Sequence, residues 1–578
     1  MADFVATLKK RRVPVHLPGE LDYERSVATS NLLYRFSRPD CVVQPEVFEH
    51  VQTVIIEAKR RNKKIIIKNG GHSYAGFSTA QSESISLDLA RLNRVEISED
   101  RSIVTMEGGA KWGHAYKELI NGHHDGYIIN GGRCPSVGVS GFILGGGLSP
   151  FTRSFGMGCD TLKEATIVTA DGTLVTVSDE DDPTSDKGRL FWALCGAGGG
   201  NFGVVVELKL RVQKLPSGGD FVVAGRYNWY PKQDEKSMGE FMDTMNDFYS
   251  TKWPTSITID SSWLCDLEKD TSELGVRFIT YFDGSKPEFD NVIDTYVKQK
   301  DLSKQLIRRS LQEKSTRFLH ETLEAQWSEE TQKAKPSGSD RPYAIYTSFV
   351  FKDTKKSKIQ EITSTIREEM KAFRNEFAGE KALLQVTFIH SGGKASERKR
   401  SATAFRWRDC VYHAYIMIEW AEKWLEMDMR GFCQKMKEKL KPFSMMKRAS
   451  FINFPDNALV KATHERVYYG NNRQELQRIK QIWDQENFFD WSQGVQLPPA
   501  SLSLGGSARA QGAEDDDELA SGDADEPPVD EQALTDRAAG DQWDNFTPPS
   551  EANSTGYQAI QAIQALIALG IQIPGLNL

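Results

Sequence analysis

The 578-residue chain is poor in several features, and each shortage removes a class of function. Seven cysteines are too few for a disulfide framework in a chain of this length, and an odd count leaves at least one thiol unpaired. No run of about 18 apolar residues occurs, so no transmembrane helix is predicted. The opening MADFVATLKKRR puts its basic cluster after a very short apolar stretch and has no signal-peptide core, so a cytoplasmic protein is expected. A basic excess is missing as well. Lys plus Arg is 72 against 80 for Asp plus Glu, a net charge of -8, which argues against a nucleic-acid partner. His123 and His124 stand without paired His or Cys spacing around them, so no zinc site is predicted. What remains is ordinary globular material, 39% hydrophobic and 26% charged, long enough for two domains.

The charge is unevenly spread. From Ala500 to Leu578, fourteen acidic residues face only Arg509 and Arg537, a net of -12 that leaves +4 on the first 499 residues. Glu514–Asp544 has few large apolar residues and reads as disordered. In Tyr557–Gly570, glutamines 558, 561 and 564 recur between Ile and Leu, the pattern of a short amphipathic helix. That helix is either a partner contact or a helix without a role.

Short β-branched runs alternate with turns and helical stretches from Cys41 to Val212, as in KIIIK, SISLD, EATIVTADGTLVTV and GVVVELKLRV. From Phe221 to Trp420 the pattern becomes strands with amphipathic helices at Lys236–Tyr249 and Ser357–Phe377. This predicts an α+β protein whose second domain is an antiparallel sheet covered by helices. The expected divisions are a lead (1–37), a ligand-binding domain (38–214), a substrate domain (215–455), a return to the first domain (456–499) and the tail (500–578).

Glycines cluster where the strands of the first domain end. Asn69, Gly70 and Gly71 follow a buried strand, and consecutive N–H groups there can approach an anion closely. No Walker lysine follows. The second cluster holds Gly138, Gly141, Gly145, Gly146 and Gly147, and the third is Gly196–Gly203, without the helix and ribose-binding acid of a dinucleotide fold. Taken singly, each is equally a set of tight turns.

Taken together and in this order, GGHSYAG (70–76), GGRCPSVGVSG (131–141) and the segment Tyr468–Phe489 resemble the berberine bridge enzyme-like branch of the vanillyl-alcohol oxidase family. The resemblance runs from about Arg38 to Leu497. It implies a PCMH-type FAD-binding domain with an inserted substrate domain, and FAD held by two covalent bonds. His72 matches the histidine joined to the flavin 8α-methyl, and Cys134 the cysteine joined to flavin C6. Asn69, Gly70, Gly71, Ser73, Gly138, Gly141, Gly145 and Gly146 would cradle the cofactor, with Tyr469 and Asn471 contributed by the returning segment. Val137 stands where a small residue leaves room for oxygen above the flavin, which implies an oxidase; the alternative is that it fills a turn. Phe142 replaces a histidine frequent in the family.

Oxidation of an alcohol needs a base for the hydroxyl proton as the hydride leaves carbon. The family's tyrosine in N-Y-x-D is Phe454 here, without a hydroxyl. The family's carboxylate in G-G-x-x-x-E is Glu397, followed by Arg398, Lys399 and Arg400; its other reading is an exposed, salt-bridged loop residue. Along Val411–Trp420 the period of two puts His413 and Tyr415 on one face with Met417, and Tyr412, Ala414 and Ile416 on the other. The first face reads as the ligand wall, with Tyr415 or Glu397 as base and His413 as its tuning partner. Tyr74 matches a substrate-side tyrosine, and Trp407 would complete an aromatic pocket. The expected reaction takes a hydride from a small, partly aromatic metabolite or sugar, with O2 as acceptor and H2O2 as product. A dehydrogenase, an oxidative cyclase and a catalytically idle flavin-binding protein stay open.

Overall fold

The computed structural model describes residues 1–29, 31–216, 219–269, 272–323, 340–352 and 354–499. The acidic tail and its Gln-patterned helix lie outside the described residues.

Three sheets carry the fold. A four-stranded sheet runs in the order Val15–His16, Cys41–Val43, Ser84–Asp88, Lys64–Lys68, the last three parallel. The helix Phe48–Arg60 makes the crossover that a parallel pair requires, burying Val51, Val54 and Ile55 against this sheet. A five-stranded antiparallel sheet follows, with Gly203–Arg211 at its centre between Ile103–Glu107 and Leu162–Thr169. Val168, Val204 and Val206 from this sheet share a core with Ile65, Ile85 and Leu87 of the first.

The third sheet is antiparallel and seven-stranded, in the order Ser310–Lys314, Phe221–Trp229, Gly275–Phe282, Ile257–Asp266, Ala382–His390, Tyr412–Trp420, Tyr343–Phe351. Its two faces sort as the period of two requires. Tyr412, Ala414, Ile416, Ile418 and Trp420 pack with Phe241, Met370 and Phe432 of the covering helices. Tyr415 and Met417 belong instead to a core shared with Ile143, Leu144 and Phe202 of the first domain. Burial of both faces makes residues 1–503 one compact unit.

The N-terminal lead is an ordered part of this unit. Helices Ala2–Lys10 and Leu21–Val27 pack on the four-stranded sheet, and the lead then crosses to the edge strand of the third. Asn31 donates to Ala344 O at 2.7 Å and Leu32 N to Pro342 O at 2.9 Å, which covers part of an edge otherwise open to pairing.

The lobes are clamped by buried cations. Arg153, on the short helix Thr152–Phe155, donates to four carbonyls of the substrate lobe, those of Ile257, Ser391, Trp253 and Pro254, at 2.6–3.0 Å. Arg408 reaches back to Asp160 with two bonds of 2.8 and 2.9 Å, a bidentate pair. Beside the first clamp, burial pushes the Asp283 carboxyl up to about 7, opposed by a hydrogen bond from Ser154. Because the folded value lies above the unfolded carboxylate value of about 3.9, the protonated acid favours the fold. That contribution is complete below pH about 4 and is lost as pH rises through about 7. Asp283→Asn is therefore expected to be more stable than the parent at pH 8 and to differ little from it at pH 4, measured as thermal midpoints at the two pH values.

Candidate active site

Two loops of the first domain meet because both lack side chains where they touch. A Cβ on Gly70 would stand 2.5 Å from Gly138 N, and Gly71 sits at φ +73°, where glycine alone is unstrained. Asn69 stitches the same contact, donating to Gly108 O at 2.6 Å and to Ser140 Oγ at 2.9 Å. The result brings the two tether candidates together. His72 Nε2 lies 3.0 Å from Ser136 Oγ, and Cys134 Sγ lies 3.2 Å from the same oxygen. Val137 N bonds Cys134 O at 3.2 Å and closes a turn over Pro135, with Val137 half-buried against the core. Next to Cys134, Arg133 pairs with Asp260 at 2.7 Å and donates to Leu148 O at 2.6 Å.

The surroundings fit a large polar cofactor. Buried Asn69 Oδ1, Ser78 Oγ, Trp112 Nε1 and Asn130 Oδ1 have no hydrogen-bond partner, which is costly unless a ligand supplies one. Nothing lies within 4 Å of a Cβ built on Gly141, and only distant atoms do at Gly199 and Gly200. A cleft lined by Lys68, Gly70, Gly71, His72 and Ser78 opens beside the first loop. Burial pushes the Lys68 amine down, and an anion placed there would favour its charged form.

The loop that carries His72 also delivers an aromatic ring to the substrate sheet. Tyr74 stacks on Tyr346 with centroids 3.9 Å apart and planes 8° apart, and Phe454 lies 5.8 Å from it. Tyr415 stands 5.0 Å from Phe454 and 6.3 Å from Tyr346. Tyr34 of the lead donates to Tyr74 O at 3.2 Å and so holds this loop against the sheet. Next to the aromatic wall, the register places Thr387 opposite Tyr415 and Ser262 opposite Thr387. Gln385 donates to Thr387 Oγ1 at 2.6 Å and accepts from Arg277 at 3.3 Å, giving the wall a row of hydroxyl and amide groups.

Several sequence-based expectations change here. His413 is completely buried, stacked on Phe451 at 4.8 Å, with Nε2 3.1 Å from Cys410 Sγ. Burial, with the Arg133 guanidinium nearby, pushes its imidazole down to about 3. The ring is therefore a neutral group rather than a cation, and its buried Nδ1 has no hydrogen-bond partner. Glu397 is not part of the wall: it is 60% exposed and pairs with Lys394 at 3.0 Å, so the salt-bridged loop reading describes it. Trp407 is core, donating to Val467 O at 3.2 Å. Asn471 faces solvent, whereas its neighbour Asn472 is buried and donates to the carbonyls of Arg400, Thr403 and Ala404. Tyr469 spends its hydroxyl on Ala197 O at 2.7 Å and so holds the third glycine loop. Gly145 packs on Asn453, Gly146 on Met157, and Ser73 Oγ accepts from Phe77 N. Asp456, the intact acid of the altered N-Y-x-D segment, is buried and paired with Lys437 at 2.8 Å and Thr347 at 2.7 Å.

Sequence reasoning missed Tyr346, Tyr34 and Ser136. Tyr346 carried the same period-two pattern as Tyr415, yet its place opposite Met417 is a matter of register. Among the described residues no group of side chains has the makings of a metal site, and no helix is long and apolar enough to cross a membrane.

Comparison with known proteins agrees with this geometry. A family model described as FAD binding domain matches residues 39–178, and one described as berberine and berberine like matches 450–496. The uncharacterised FAD-linked oxidoreductase YgaK of Bacillus subtilis is 25% identical over 493 residues, 84% of this chain and 96% of its own. A carbohydrate oxidase of Microdochium nivale is 34% identical over 213 residues, but the match covers only 36% of this chain and 41% of that protein. Berberine bridge enzyme from Eschscholzia californica has the same fold, with a TM-score of 0.71 at 20% identity over 86% of this chain and 99% of that one. One family model covers the loops of His72 and Cys134, another the strand-free segment that returns to them, and the fold between is that of berberine bridge enzyme: the chain carries an FAD binding domain and a berberine-like returning segment, and is similar to FAD-linked oxidoreductases.

Proposed function

We propose that this enzyme is a bicovalent flavin oxidase that takes a hydride from a hydroxyl-bearing carbon of a small metabolite, a sugar or a partly aromatic alcohol. The observation that carries the reading is the double duty of one loop. Residues 69–76 hold His72 beside Cys134 through Ser136 and also press Tyr74 onto Tyr346, so cofactor tether and substrate wall are set by the same backbone.

Bound FAD supplies the hydride acceptor and passes the electrons to O2, giving H2O2. The chain's own groups do the rest. Tyr415, as its phenolate, would receive the substrate hydroxyl proton and become the neutral phenol. Tyr74, Tyr346 and Phe454 stack on one another into an apolar aromatic wall against which a sugar or an aromatic ring can pack. Gln385 and Thr387 orient the remaining hydroxyls, and neutral His413 donates or accepts one hydrogen bond without adding charge. His72 and Cys134 would hold the flavin through covalent bonds. A relative named carbohydrate oxidase supports a sugar within this class.

A screen of sugars and aromatic alcohols for peroxide release, repeated without oxygen to follow loss of the oxidised flavin band, tests the reading. Bleaching without peroxide on re-aeration would make the protein a dehydrogenase, and no bleaching by either class would remove the substrate assignment. Acid precipitation tests the tether: the yellow colour is expected to stay with the protein, and Cys134→Ala to retain one bond, through His72.

A further inference from the structure

The contact between the two tether residues is not direct; both touch one hydroxyl. We propose that Ser136 is a proton relay that makes the Cys134 thiolate. The proposal rests on the bicovalent reading above. A thiol is a poor nucleophile until it is deprotonated, and half-buried Cys134 has a hydroxyl within reach to take the proton. A serine hydroxyl can accept one hydrogen bond while donating another. The chain runs from Cys134 Sγ to Ser136 Oγ at 3.2 Å and from Ser136 Oγ to His72 Nε2 at 3.0 Å, and with Nε2 unprotonated it can carry a proton one way, S–H to O–H to N.

The geometry is built into the loop. Pro135 stiffens the backbone between Cys134 and Ser136, and the Val137 N to Cys134 O bond closes the turn that aims both side chains the same way. Gly70 lets the loop of His72 approach; a Cβ there would stand 2.8 Å from Ser136 O. A bond from the cofactor to Nδ1 of His72 would leave Nε2 and its contact with Ser136 in place.

The step balances. The S–H bond of Cys134 breaks as its proton passes to Ser136 Oγ, and the original Ser136 proton passes to His72 Nε2, with no electrons exchanged. The thiolate then bonds a flavin ring carbon as that carbon loses its hydrogen. The two electrons go to O2, which becomes H2O2 with the ring proton and the proton held on His72.

Mass spectrometry of tryptic peptides from purified Ser136→Ala and Ser136→Thr, beside the parent, tests the relay without any substrate. The parent and the threonine variant are expected to carry flavin on both the His72 and the Cys134 peptides. In Ser136→Ala the flavin-bearing fraction of the Cys134 peptide is expected to fall at least about tenfold while the His72 peptide keeps its flavin. Should the alanine variant not fold, the isosteric pair Ser136→Thr and Ser136→Val gives the same contrast. Equal loading of Cys134 in the parent and the hydroxyl-free variant overturns the relay alone. A parent with no flavin on Cys134 overturns the bicovalent reading and the relay with it.

Discussion

Tyr415→Phe is expected to lower kcat by about 10²- to 10⁴-fold, the range in which removal of a general base falls. The change deletes one oxygen and keeps the ring, so the packing at 5.0 Å from Phe454 and 6.3 Å from Tyr346 is retained. The flavin spectrum, the tether and the thermal midpoint should therefore stay as in the parent. KM should move much less than kcat, because Tyr74, Tyr346 and the Gln385–Thr387 pair still hold the substrate. Rapid mixing without oxygen would show slow flavin reduction by substrate and unaltered reoxidation by O2. The neighbouring ring gives a sharper check. Phe454 lines the same wall 5.0 Å from Tyr415, and Phe454→Tyr in the Tyr415→Phe background returns a phenol to it. Partial recovery of kcat is expected. An unchanged rate of flavin reduction in Tyr415→Phe would remove Tyr415 as the base.

The second large effect is on stability. Lys480 and Asp484 form an ion pair at 2.7 Å with both side chains fully buried, one turn apart on and just beyond the helix Arg473–Trp483. Lys480 also donates to Asn201 O at 2.7 Å and to Phe489 O at 2.9 Å, while Asp484 accepts from the backbone N–H groups of Phe488 and Phe489. Every bond of the ammonium is thus made inside the protein, between the returning segment and the third glycine loop. Lys480→Met leaves a carboxylate without its cation and two carbonyls without a donor. A cost of about 3–5 kcal/mol is expected, as for other buried pairs broken on one side. It would be read as a lower thermal midpoint and as faster proteolysis of the returning segment. Lys480→Met/Asp484→Asn removes the stranded charge and keeps an acceptor for one N–H, so it should regain part of the loss. A double variant weaker than the single one would show that charge isolation is not the cause.

Local pattern made much of this molecule legible. The strand Tyr412–Trp420 alternates exactly between two cores, so its period of two was enough to separate the helix-facing residues from the wall. The helices at 48–60, 235–250 and 356–376 lie where their amphipathic spacing puts them. The edge strand Ser310–Lys314 was not legible, because SLQEK has no apolar alternation and is a strand only through pairing with Phe221–Gly225. Nor was the lead, whose Asn31 and Leu32 are held by the edge of a strand some three hundred residues along the chain.

At the site, the motifs of the two glycine loops, read in order, were enough to name His72 and Cys134 as candidates for one site, and the structure brings both to Ser136 Oγ. Small residues are demanded there by close backbone approach, and that demand is written locally. Whether a polar side chain nearby is wall, core or solvent was decided only by tertiary structure. Strand pairing sets Tyr346 diagonal to Tyr415, with ring centroids 6.3 Å apart, Trp407 is sealed in the core, and Glu397 turns out to a nearby lysine. Their residue types are all compatible with catalysis. Burial and register, which depend on residues tens to hundreds of positions away, separate them.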